Sequence, residues 1–214
     1  MYALTWRELV SIGRAPGFWA ATIGYTFLLF MIVLVWGHGL PVTGAGTNWQ
    51  QFNAAQSAIL SVLLPWTAAR CGPVRRTDLV MLSLVTAAPP SRLLMARWLA
   101  VSAALIGLTL AALPTTLLMQ EIAAIPPMSI AASFAGTAAL CALVAAVTNA
   151  CVAIFDGALS GWLAATTISV AAGLLMPPSP AVLPIWLLMA TGATFVISKI
   201  ADSQLLHLAQ EAAA

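Results

Sequence analysis

The sequence predicts an all-α integral membrane protein. Six transmembrane helices follow an N-terminal interfacial helix, and a short surface helix lies between the second and third spans. Hydrophobic residues make up 62% of the 214-residue chain and charged residues only 7%, whereas about one quarter of an ordinary soluble domain is charged. The apolar residues form runs close to the ~20 residues that cross a ~30 Å hydrocarbon layer. Once those runs are threaded, every basic residue falls on one side of the membrane. Residues 1–214 are therefore read as a single transmembrane domain.

Residues 1–16 form the interfacial element. Helical spacing sets Tyr2, Trp6, Leu9, Val10 and Gly13 on one face and Arg7, Ser11 and Arg14 on the other, the pattern of a helix lying in the membrane plane. Pro16-Gly17 turns the chain inward, and residues 18–36 make the first span. That run reaches spanning length without a small-residue cleavage site, so it is expected to stay as an anchor. A Gly-rich, uncharged outer loop over 37–48 leads to the second span, 51–69. Gln51, Asn53, Gln56 and Ser57 make its outer end polar, suited to a partner subunit, to water or to lipid headgroups.

Residues 70–97 hold five of the eight Lys+Arg residues, in Arg70, Arg75, Arg76, Arg92 and Arg97. Between them lies Asp78-Leu-Val-Met-Leu-Ser-Leu-Val-Thr-Ala-Ala88, closed by Pro89-Pro90. At 1.5 Å per residue its eleven residues reach about 16 Å, half a hydrocarbon layer, so this helix belongs at the surface. Thr77 suits its N-cap, Asp78 suits the positive end of its dipole, and Ser91 is expected to cap the next helix. Leu79, Leu82, Leu84 and Val85 leave it apolar on more than one face, so lipid or neighbouring spans cover one side and lipid or a cytosolic protein the other.

The third span, 98–119, contains Pro114, which predicts a kink near the outer surface. A short outer connection over 120–127 precedes the fourth span, within 128–155, whose Ala, Ser, Thr and Gly suit close helix packing. Asp156-Gly157 marks an inner turn. The fifth span begins at 162–176, the proline-dense 177–184 turns the chain, and 185–198 forms the sixth before a tail at 199–214. Arg7, Arg14, Arg70, Arg75, Arg76, Arg92, Arg97 and Lys199 then share the side of the termini. By chance this would occur on the order of once in a hundred cases, so both termini are placed in the cytoplasm.

Residues 75–100, Arg-Arg-Thr-Asp-Leu-Val-Met-Leu-Ser-Leu-Val-Thr-Ala-Ala-Pro-Pro-Ser-Arg-Leu-Leu-Met-Ala-Arg-Trp-Leu-Ala, resemble the region between spans two and three of type-2 ABC transporter permeases. That family has a charged stretch, a Leu-rich coupling helix, a Pro-x-Ser-Arg turn, and a Lys or Arg before the third span. Pro89, Ser91, Arg92 and Arg97 stand at the last two elements. Six spans, cytoplasmic termini and about 200 residues also suit it. The chain departs from the family at Ser83, where an acidic residue is common.

The resemblance implies a permease subunit that translocates a substrate, in the direction of export, across a bacterial-type cytoplasmic (inner) membrane. The implied partners are a cytosolic ABC ATPase, a second permease subunit in a homodimer or heterodimer, and membrane lipid. The coupling loop, 70–97, would contact the ATPase through Arg75, Arg76, Asp78, Leu79, Leu82, Leu84, Val85 and Arg92. ATP and Mg would be held by that partner, with no cofactor in this chain.

The sequence has no Gly-x-x-x-x-Gly-Lys-Ser/Thr phosphate loop and only one lysine, Lys199, so it is not expected to hydrolyse ATP by that route. Glu121, Asp156, Asp202, His38 and His207 fall at span ends or in loops, which nominates no catalytic pair. Cys71, Cys141 and Cys151 lack metal-ligand spacing and are expected as reduced structural thiols. The net charge of +2 points away from nucleic acid. Trp19, Trp36, Trp49, Trp66, Trp98 and Trp186 read as interfacial anchors, and the methionines as packing. Three alternatives stay open: a haem-exporter B-like subunit, a membrane scaffold that binds a cytosolic partner without moving a substrate, and, third, a membrane-bound enzyme.

Overall fold

The computed structural model describes residues 2–39, 45–70, 89–123, 126–155, 158–175 and 192. Among them the chain is helical, with no strand. In order the helices are α1 (Tyr2–Arg14), α2 (Pro16–Gly39), α3 (Ala45–Arg70), α4 (Pro90–Leu110), α5 (Leu113–Ala123), α6 (Pro127–Phe155) and α7 (Ala158–Leu175). Among the described residues three stretches are long and apolar enough to cross a membrane: Pro16–Val35 (20 residues), Arg92–Glu121 (30 residues) and Pro127–Asn149 (23 residues). These correspond to the first, third and fourth expected spans, and they mark the chain as a membrane protein. The helix expected over 78–88, the Asp156-Gly157 turn, the proline turn at 177–184 and the tail lie outside the described residues.

The helix α3 occupies the middle of the bundle, touching α2, α4, α5, α6 and α7. It is 26 residues long, or about 39 Å at a helical rise of 1.5 Å per residue, but its Gln, Asn and Ser make it more polar than its neighbours. Pro65 sits buried inside it and has no N–H for the carbonyl one turn back. Around this axis α6 packs on α4 and α7, while α1 lies against α4 and α2.

Burial shows which side of each apolar helix meets protein. On α2, Ala21, Tyr25, Leu29 and Val33 recur every fourth residue and are buried, whereas Ile23, Phe27, Phe30, Met31 and Leu34 are exposed on other faces. Both sets are apolar, because lipid is as good a solvent for Phe as a protein core. On α6, Ala139, Cys141, Ala142, Ala145 and Ala146 are buried, so small side chains let neighbouring backbones come close.

Two prolines set the boundaries of α4. The helix starts at Pro90, with Pro89 in the N-cap position at φ −62° and ψ 143° and no side-chain cap. Ser91 is therefore inside the helix instead of capping it. Pro90 holds Pro89 extended and is itself pre-set for the first helical position, which has no use for an N–H. Arg92 donates its backbone N–H to the Pro89 carbonyl at 2.9 Å.

The expected kink is a break at Ala111-Ala112, just before Pro114. The ring of Pro114 opposes the carbonyl of Leu110, four residues back, and ends α4 there. The Ala112 N–H turns instead to the Thr109 carbonyl at 3.2 Å, and α5 resumes with Thr116 donating to Ala112 at 3.1 Å.

Candidate functional site

Most of the residues expected to contact an ATPase, Arg75, Arg76, Asp78, Leu79, Leu82, Leu84 and Val85, lie outside the described residues. Arg92 is described and exposed on the first turn of α4. A cation there opposes the helix dipole, so the position favours a side chain free to reach anionic groups beyond the helix.

One turn further along, Arg97 is held. Its Nη1 lies 3.5 Å from Glu8 Oε2, and the two side chains are 11% and 26% exposed. This ion pair joins α1 to the start of α4, beside Ile12, which is 2% exposed and belongs to the main core. The face of α1 turned to the bundle thus runs through Glu8 and Ile12, while Tyr2 and Trp6 remain 83% and 57% exposed. Charge patterning grouped the outward face but did not single out Glu8, an isolated acid in a basic flank.

The corner between α1 and α2 is also fixed. Trp19 donates its indole N–H to the Gly13 carbonyl at 2.7 Å, taking up one of the acceptors left over at the end of α1. The Ala15 N–H reaches Ile12 at 3.0 Å, and the Phe18 N–H reaches Ala15 at 3.1 Å. Trp98 likewise donates to the Ala142 carbonyl on α6 at 2.9 Å, using the oxygen's second lone pair. Trp19 and Trp98, two of the tryptophans expected as membrane-surface anchors, spend their N–H groups on the protein.

Inside the bundle a second polar arrangement carries no formal charge. The Gln56 amide donates to the Tyr25 hydroxyl at 3.0 Å, and both residues are buried. The Ser133 hydroxyl donates to Asn53 Oδ1 at 3.1 Å, tying α6 to α3. Of the polar residues expected at the outer end of the second span, Asn53 and Gln56 thus face other helices of the same chain, and Gln51 is exposed. The available signal was Tyr25 itself, since a phenol in an apolar run needs a partner when buried.

Comparison with protein-family models, curated proteins and solved structures yields no match.

Among the described residues no group of His, Cys, Asp and Glu could hold a metal ion. Cys141 and Cys151 are free and buried, and Glu121, at the end of α5, is exposed. What the arrangement offers is mechanical. A charged clasp fixes α1 to the foot of α4, and neutral hydrogen bonds tie α2, α3 and α6 deeper in the bundle.

Proposed function

We propose that this chain is the membrane-spanning subunit of an ABC transporter. It translocates its substrate outward with work supplied by a separate cytosolic ATPase, which holds the ATP and Mg. In this reading α3, α7 and the apolar run over 185–198 complete six spans, both termini are cytoplasmic, and the membrane is a bacterial-type inner membrane. Two such permease subunits, identical or different, form the translocation unit.

The observation that carries the reading is the Glu8–Arg97 clasp. A push delivered at residues 70–97 enters α4 within two turns of Arg97, so the clasp passes it to α1 and, through the Trp19–Gly13 corner, to α2. The resemblance of residues 75–100 to type-2 permeases supports the same assignment, and the absence of a phosphate loop in the sequence fits an ATPase on another chain. ATP-driven closure of the partner would then shift the bundle between inward- and outward-facing arrangements.

Replacing Leu82 and Val85 together with Asp tests the docking. Loss of ATPase copurification and of ATP-dependent vesicle uptake, in a protein that still folds, is expected. Retention of both would rule the docking out. A scaffold would hold its partner yet show no uptake in the unmodified protein.

A further inference from the structure

The helix α1 has three sides where the sequence suggested two. One side belongs to the bundle: Glu8 meets Arg97, and Leu9 and Ile12 pack with the main core. The remaining arc divides again. At 3.6 residues per turn, Tyr2 and Trp6 fall together on one part of it, and Arg7, Ser11 and Arg14 on the part beside them. All five are exposed.

Charge on this outer side is of one sign. Glu8 is the only acid in α1, and it is turned to Arg97. The positions of α1 three and four residues from Arg7 and Arg14, where an acid would pair with them, hold Ala3, Leu4, Val10 and Ser11. Among the described residues neither arginine has an acidic partner. The two lie close to two turns apart, so they form one line about 10 Å long.

Location selects what covers this side. The helix α1 ends at Arg14, and the apolar stretch Pro16–Val35 starts two residues later. The bond from Trp19 to the Gly13 carbonyl pins that corner, so the last turn of α1 stands at the edge of the hydrocarbon. Water alone would suit the arginines but not the exposed rings of Tyr2 and Trp6. The headgroup layer suits both, because aromatic rings settle there and guanidinium groups bind phosphate. Two cations without an acid beside them favour a lipid of net negative charge over a zwitterionic one. We propose that the outer side of α1 is a binding surface for an anionic phospholipid, its phosphate held by Arg7 and Arg14 and its acyl chains beside Tyr2 and Trp6. This surface is independent of the transport reading.

The test uses the full chain in mild detergent, with dioleoyl phosphatidylglycerol and dioleoyl phosphatidylcholine as probes and retained lipid read by native mass spectrometry. The acyl chains are the same, so only the headgroup is compared. At a factor of about five for each arginine, the unmodified protein should prefer the anionic lipid by about thirtyfold. Arg7→Gln and Arg14→Gln should each lower that preference about fivefold, and the double variant should lose it. Trp6→Ala should weaken retention of both lipids and leave the preference in place, and Ser11→Ala should change neither. Equal retention of the two lipids by the unmodified protein would overturn the proposal without requiring any variant to fold. A preference that survives in the Arg7→Gln, Arg14→Gln double variant would overturn it too, because the headgroup would then be held elsewhere. So would a dimer of the chain that Trp6→Ala dissociates, because the same side would then belong to a second copy.

Discussion

The foot of α4 and the interior of the bundle join helices in different ways. At the foot, Glu8 and Arg97 meet as full charges 3.5 Å apart, each keeping some contact with the surroundings. Inside, Tyr25 meets Gln56 and Asn53 meets Ser133 through neutral groups. Ionised groups are expensive in hydrocarbon, whereas a neutral hydrogen bond replaces one that lipid could not supply. The comparison separates two jobs. Neutral bonds hold the helices in register, and the charged pair sits where both side chains keep some exposure.

Breaking the clasp should produce the largest effects, read as the midpoint of SDS-induced unfolding in mixed micelles. Glu8→Lys sets two cations together and is expected to destabilise by about 3 kcal/mol or more. Glu8→Gln should follow at about 2 kcal/mol, because it removes the carboxylate that faces the less exposed side chain, Arg97, at 3.5 Å. Arg97→Met should cost about 1 kcal/mol, since Glu8 retains more access to water. The reverse order would mean that Glu8 is the more deeply buried charge.

The interior ties are smaller. A double-mutant cycle of Tyr25→Phe and Gln56→Leu should return a coupling of about 0.6 kcal/mol, the usual size for hydrogen bonds within a bilayer. A coupling above that of the Glu8–Arg97 pair would invert the comparison. Trp19→Phe removes one exposed hydrogen bond and should shift stability by less than about 0.5 kcal/mol. Its clearer effect should be faster proteolysis at the α1–α2 corner.

Much of the helical plan could be read from the sequence because hydrophobic length and proline are local signals. Residues 18–36 and 128–155 lie within helices observed as Pro16–Gly39 and Pro127–Phe155. Pro114 announced a disturbance, and only the structure placed the break at Ala111-Ala112. Ser91 was read as a cap because its hydroxyl suits that place, yet the prolines before it fix the backbone first. The polar ties were harder to read. Asn53 and Gln56 gave no sign of whether they faced outward or inward, since in an all-round apolar environment periodicity does not distinguish lipid from protein. Glu8 and Arg97 meet only through packing of α1 on α4, which no local pattern encodes.

The central claim is that a cytosolic ATPase grips this chain at residues 70–97 and drives its helices. The most direct measurement is the mass and ATP hydrolysis of the intact complex extracted in mild detergent. Two permease subunits with two ATPase subunits, and hydrolysis lost in the Leu82→Asp, Val85→Asp double variant, is the expected result. A native assembly containing no ATP hydrolase would contradict the account.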